Sequence, residues 1–330
     1  MLKNAQLTNQ SQFLEKIKYL LPSNISFVDT LAQILGLSID SIYRRLRGET
    51  AITFDETVKL CRHFNLSVDS IIEGDASVVT FNYNVMCQQV ECFKDYLRSI
   101  LEDLHVLNKF ENPTVIYVAE DIPIFHLFAF KELAAFKMYY WLKSVLNVPE
   151  YQHQKYSFNN TDPEILELGS KILEAYSRIK SIEIWTEFTI NSLRKQIEYY
   201  YEAGLFENPD DAARLCDQAS ELVKHLSHMA EKGSKLADTS VQNYTLYSSE
   251  IEIGNNCILV GIKNLRKVYL TYNTFSKMTT SNEKFCEATH TWINYLISKA
   301  ILISGVSEKQ RLQFVNKIIS QLDLTRKKIQ

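Results

Sequence analysis

Between Ser26 and Ile72 the apolar residues recur at three- and four-residue spacings in short bursts, each opened by a polar capping residue. Val28, Leu31, Ala32 and Leu35 share one face of a predicted helix that Ser26 caps. Gly36 stops that helix, because a glycine just past the last periodic residue supplies the left-handed conformation that ends it. Ser38 opens the next helix two residues later, so the turn is tight and the two helices must cross steeply, with small Ala32 permitting the approach. From Ile39 to Arg47 the pattern buries Ile42 and Leu46 and leaves Asp40, Tyr43, Arg44 and Arg47 outside. After Gly48, Thr53 and Glu56 make a capping box for a helix whose apolar side is Val58, Leu60, Cys61 and Phe64. Ser67 caps a last short turn ending in Ile71 and Ile72, and Phe13, Leu14, Ile17 and Leu20 mark a helix upstream.

The order LAQILGLS, then SIYRRLRGE, then TFDETVKLCRHFNLSVDSI resembles the lambda-repressor-like (Cro/XRE-type) helix-turn-helix regulators of bacteria and phages, over about Ser11 to Ile72. The resemblance implies a five-helix DNA-binding domain whose second motif helix enters the major groove, its N-terminal residues facing base edges. Carried onto this chain, Ser38, Ile39, Asp40, Ser41 and Arg44 lie at the start of that helix, with Tyr43 and Arg47 nearer the phosphates. Two positions depart from the family pattern. Val28 stands where a phosphate-touching glutamine is frequent, and Arg45 stands where an apolar residue is usual. The second departure is read as a small rotation of the helix, with Leu46 in the core and Arg45 a further phosphate ligand. A protein-docking role for the same domain is the alternative.

Glu73–Thr80 is a short polar stretch, which divides the chain into a DNA-binding domain, 1–74, and a larger domain, 75–330. Beyond it Met86, Val90, Phe93, Leu97, Ile100, Leu104 and Leu107 alternate spacings of four and three. That repeat fits either a coiled-coil seam between two subunits or one face of a helix packed on its own core, and the flanking Glu91, Lys94, Asp95, Arg98, Glu102 and Asp103 suit both. Residues 113–121 have the β-branched and aromatic density of a buried strand, and 124–146 read as one very apolar helix. Helices follow at 163–179, 184–203 and 209–232. Residues 244–275 alternate, with breaks at 254–256 and 263–264, and read as a three-stranded antiparallel meander. Helices at 282–303 and 307–327 close the chain, the last with Leu312, Val315, Ile319 and Leu322 at helical spacing. The fold class is therefore mainly α: a five-helix domain, then an α+β domain with a small antiparallel sheet and several helices.

Composition narrows the class of protein. With 46% hydrophobic residues, only 9 Gly and 6 Pro in 330, the chain can bury large cores and favours long helices. The first residues carry no apolar signal region and no run approaches the ~18 apolar residues that cross a bilayer, so a cytoplasmic location and no membrane partner are expected. Residues 1–74 hold eight Lys and Arg against eight Asp and Glu, so only the second motif helix and its flank are basic. Non-specific phosphate attraction is then modest, and base contacts and dimer geometry carry more of the affinity.

Catalytic motifs were sought without result. There is no glycine-rich phosphate loop, Gly-x-Ser-x-Gly elbow or His-Glu-x-x-His pair. Cys61, Cys87, Cys92, Cys216, Cys257 and Cys286 lack metal or disulfide-framework spacing and are expected to be reduced. His225 and His228 stand three apart without an identifiable third ligand, so a structural or surface role is favoured. Glu183, Trp185 and Glu187 read as a helix surface rather than an acid and base pair. Phe125, Phe128, Phe130, Phe136, Tyr139, Tyr140 and Trp141 suit core packing or the lining of a ligand cavity.

The expectation is a transcription regulator, without cofactor, metal or catalysis, that binds double-stranded DNA as a homodimer. Its larger domain, faintly similar to the regulatory regions fused to such DNA-binding domains, would sense a small molecule or peptide, because some 250 residues exceed what dimerisation requires. Two alternatives are a helical peptide-binding solenoid and an enzyme tethered to DNA.

Overall fold

The computed structural model describes residues 9–22, 25–64, 66, 78–262 and 265–329. It resolves into two compact units, one of residues 1–82 with 279–286 and one of 83–278 with 287–330. The division at 82–83 falls eight residues past the expected boundary at 74, which lies outside the described residues, as do the predicted turn from Ser67 to Ile72 and the break at 263–264.

In the first unit four helices are described: α1 (Asn9–Leu20), α2 (Phe27–Leu35), α3 (Ile39–Leu46) and α4 (Phe54–His63). The capping chemistry is as the sequence predicts. Ser26 accepts a hydrogen bond from the Asp29 N–H, Gly36 ends α2 at φ 67°, and Ser38 accepts from the Ser41 N–H. Thr53 and Glu56 close a full capping box. Phe13, Leu14, Ile17, Leu31, Leu35, Ile42, Leu60 and Cys61 form the core, with Val28, Ala32 and Leu46 packed at its edge. Leu20, expected inside, is exposed.

The second unit departs from the expectation of a small antiparallel sheet. Its strands belong to a mixed eight-stranded sheet of order β1-β7-β6-β5-β2-β3-β4-β8. These are β1 (Asn82–Tyr83), β2 (Thr114–Ala119), β3 (Lys180–Trp185), β4 (Tyr244–Ser248), β5 (Cys257–Ile262), β6 (Leu265–Tyr272), β7 (Ser276–Thr280) and β8 (Ile301–Leu302). Strands β2, β3 and β4 run parallel, whereas β5 pairs antiparallel with both β2 and β6. The expected meander is thus split: β4 lies beyond β3, while β5 and β6 pair antiparallel and β7, next in the chain, lies on the other side of β6. A sheet of this size is also incompatible with the helical-solenoid alternative.

Around the sheet run α5 (Val90–Leu107), α6 (Ile124–Leu127), α7 (Lys131–Tyr140), α8 (Pro149–Gln152), α9 (Pro163–Ser177), α10 (Asn191–Glu202), α11 (Asp210–Lys232), α12 (Glu283–Lys299) and α13 (Glu308–Lys328). The predicted helix 124–146 is broken between α6 and α7 and passes into a π-helical turn at Trp141–Val145. The predicted helix 184–203 begins too early, since Lys180–Trp185 is a strand.

The heptad-like face of α5 belongs to the core of its own unit. Phe93, Leu97, Leu104 and Leu107 are buried there, and α5 packs along α9. Its flanking charges face the same neighbour: Lys94 pairs with Asp162 and Glu164, each at 2.7 Å, and Arg98 pairs with Glu164. Of the two readings of the repeat, packing within the chain's own core is the one this burial supports, because a side chain buried in one subunit has no surface left for a second. A further correction concerns Cys87 and Cys92, which form a disulfide at the start of α5, while the other four cysteines are buried.

Candidate nucleic-acid interface

Helix α3 presents its surface because its inner side is narrow. Only Ile42 is fully buried, while Ile39, Asp40, Tyr43, Arg44 and Arg47 are exposed together along the outer face. Ser38 and Ser41 bond to one another through their hydroxyls at 2.9 Å and so organise the first turn. A short helix with a polar first turn, two outward arginines and an apolar contact at Ile39 has the groups that read base edges and phosphates in a major groove.

Arg45, expected among the phosphate ligands, turns inward instead. Its Nε and Nη2 donate to Glu56 at 3.0 and 2.7 Å, its Nη1 reaches the Ser41 carbonyl, and its side chain is 13% exposed. The reason is electrostatic: Glu56 already caps α4 through the Thr53 N–H, and its second carboxylate face is open to a guanidinium fork. Burial alone would raise the Glu56 carboxyl, but the hydrogen bonds from Arg45 and Thr53 and the Arg45 charge hold it below the ordinary carboxylate value.

Arg44 and Arg47 remain available but are already gathered around Glu49. Arg47 Nε donates to it at 2.6 Å, and Arg44 Nε stands 3.9 Å away. The Arg47 hydrogen bond lowers the Glu49 carboxyl, so it stays ionised beside the two cations that would meet DNA.

Gln10, just outside the stretch Ser11–Ile72, holds this arrangement in place. Its Nε2 donates to the carbonyls of Arg45 and Thr50 at 2.8 and 2.9 Å, and its Oε1 accepts from the Ile52 N–H at 2.9 Å. One amide thereby satisfies three backbone groups at the end of α3 and in the loop after it. No periodicity signals such a residue; the only clue is a glutamine in the first turn of a helix.

The other chemistry-bearing residues lie in the second unit. Glu183 is on β3, not on a helix surface, and is fully buried. His126 Nε2 lies 2.7 Å from its Oε1, the Tyr176 hydroxyl and Trp185 Nε1 donate to it at 2.7 and 2.9 Å, and the Tyr244 hydroxyl donates at 3.1 Å. Burial pushes this carboxyl upward, but the His126 charge and these hydrogen bonds win and leave it below the usual range. The sequence misleads here because Glu183 and Trp185, two apart, share a face of a strand that is covered by packing. His225 and His228 are exposed on α11, and no metal-binding group of His, Cys, Asp or Glu occurs among the described residues. No helix among the described residues is long and apolar enough to cross a membrane.

Residues 13–92 match the family model of the BetR domain, a helix-turn-helix type of DNA-binding domain in regulators. The match begins within α1, takes in α2 to α4 and ends on the first turn of α5, and it supports a DNA-binding regulator without distinguishing the Cro/XRE type. No curated protein matches the chain. No solved structure matches it either.

Proposed function

We propose that the chain is a sequence-specific, DNA-binding transcription regulator of the Cro/XRE-like kind, with α3 in the major groove and the second unit sensing a ligand or partner. The observation that carries this reading is the exposed row Ile39, Asp40, Tyr43, Arg44 and Arg47 on a helix locked by Gln10 and by the Arg45–Glu56 pair. Recognition residues must be held rigidly if a wrong base is to be rejected, and this one helix is fixed from both sides. The second unit senses rather than catalyses in this reading, since Glu183, its most deeply buried carboxylate, has both oxygens bonded to neighbouring side chains. Two copies acting on a two-fold site would place their recognition helices about one helical turn, ~34 Å, apart.

The test is selection of duplexes from a random library by the full chain, followed by footprinting and sedimentation of the complex. An enriched motif with two half-sites, protected by two copies, is the expected result. Failure to enrich any sequence over the starting pool would remove the reading.

A further inference from the structure

Inside the second unit, α5 and α6 and the Trp141 turn border, with the sheet, a partly open cavity of about 110 Å³. Its floor is a cross-strand row: Tyr117 on β2 is the register partner of Ile258 on β5, which in turn faces Tyr269 on β6. Ile100, Leu104 and Leu107 of α5 form the roof, with Phe125 and Trp141 at the side. Thr274 lines the cavity from the turn at Asn273–Thr274, where both residues take positive φ, a strained state for a β-branched threonine.

The polar groups of this space are unequal. Asp103 is paired with Lys277 at 2.5 Å, and Asp121 is paired with Lys137 at 2.7 Å. A charged ligand would need a counter-ion that is already engaged, and breaking the largely buried Asp121–Lys137 pair is costly. The Tyr117 and Tyr269 hydroxyls, by contrast, meet no hydrogen-bond partner among the described residues, although both side chains are more than nine-tenths buried.

We propose that this cavity is a binding site for a neutral, single-ring apolar molecule carrying one hydroxyl or carbonyl group, which the Tyr117 and Tyr269 hydroxyls recognise. The volume sets the size, since an apolar protein cavity of about 150 Å³ takes up benzene. The site names the ligand class for the sensing role proposed above and rests on that reading only for its effect on DNA. Its roof, α5, is the first helix after the segment that leads from the first unit, so a ligand that shifts α5 acts on the chain shortly after the first unit.

Binding is measured on the full chain without DNA, so its failure is distinct from a failure to bind an operator. Phenol, benzene, benzoate and benzylammonium are each titrated at millimolar concentration, with thermal midpoint and tryptophan fluorescence as readouts. Phenol and benzene should raise the midpoint by about 2 °C or more, and the two ions should not. Tyr117→Phe combined with Tyr269→Phe should weaken phenol about tenfold and leave benzene unchanged. Ile258→Trp, which fills the floor, should abolish both; should that variant not fold, the tyrosine pair decides alone. Equal binding of the ions, no binding by any probe, or phenol binding indifferent to both tyrosines would overturn the proposal.

Discussion

Arg45 and Glu56 close a two-pronged ion pair across the turn between α3 and α4, with donor distances of 3.0 and 2.7 Å and both side chains about six-sevenths covered. The pair joins α3 to the cap of the next helix, so its loss should be felt as stability. Arg45→Ala leaves the Glu56 face unmatched and is expected to cost about 1–3 kcal/mol. Because the folded Glu56 carboxyl lies below its unfolded value, this contribution is present above the ordinary carboxylate pKa and is lost as pH falls through the folded one. Urea unfolding of the variant and the parent at pH 7 and at pH 3 checks both statements: the gap between them should narrow in acid.

Arg44 should behave in the opposite manner. Its side chain is 56% exposed, so Arg44→Ala should unfold with the parent yet lose discrimination between the selected duplex and a scrambled one by about 1–3 kcal/mol. Equal loss on both duplexes would reduce it to a phosphate contact.

Glu49 holds both outward arginines, so Glu49→Gln should release them and remove a negative charge from the groove-facing surface. Exposed pairs are weak, and the expected gain in DNA affinity is at most about fivefold, largest at low salt. A titration at two salt concentrations tests it, and unchanged or weaker binding would place Glu49 away from the DNA.

The first unit was legible because its signals are local. Ser26, Gly36, Ser38, Thr53 and Glu56 each act within three or four residues of themselves, and local capping chemistry is what a sequence displays. What escaped is non-local: Gln10 reaches over 35 to 42 residues, and Arg45 chooses between solvent and a carboxylate supplied by another helix. In the second unit β3 was hidden inside an apparent helix. A parallel strand buried on both faces shows no clean alternation, and its one carboxylate, Glu183, is matched by His126, Tyr176 and Tyr244 from three other elements. The α5 repeat was read in the right register, but the same spacing serves a seam and a core, and only the presence of α9 and the sheet decides between them.

Lys235 gives the second unit a pH dependence on the alkaline side. Its Nζ donates to the Ile179 carbonyl and the Ser181 hydroxyl at 2.6 and 2.7 Å and lies 3.9 Å from the Tyr176 ring centre. Burial pushes its pKa down to about 7, against the opposing charge of Glu183. Between that value and the ordinary lysine value near 10.4, the unfolded chain holds a proton that the folded chain lacks. Stability from this group therefore rises with pH across the window, by at most about 1.4 kcal/mol per pH unit, and falls away as pH drops through 7. Lys235→Met should flatten the rise between pH 7 and 9 in urea midpoints, and an unaltered slope would show that another group sets it.

Leu97 decides what the heptad-like pattern of α5 is for. In a dimer seam, a charge placed there would separate subunits that stay folded. In this structure Leu97 is fully buried among the residues of its own unit, beside Phe93 and Leu104, so Leu97→Glu places a carboxylate in an apolar interior with no counter-ion. Unfolding is then the expected outcome, with helix content lost at every protein concentration. Leu97→Ala is the milder companion, expected to cost about 2–5 kcal/mol and to leave the oligomeric state as it is. Sedimentation and circular dichroism on both variants separate the two cases: a folded, monomeric Leu97→Glu would return α5 to the subunit interface.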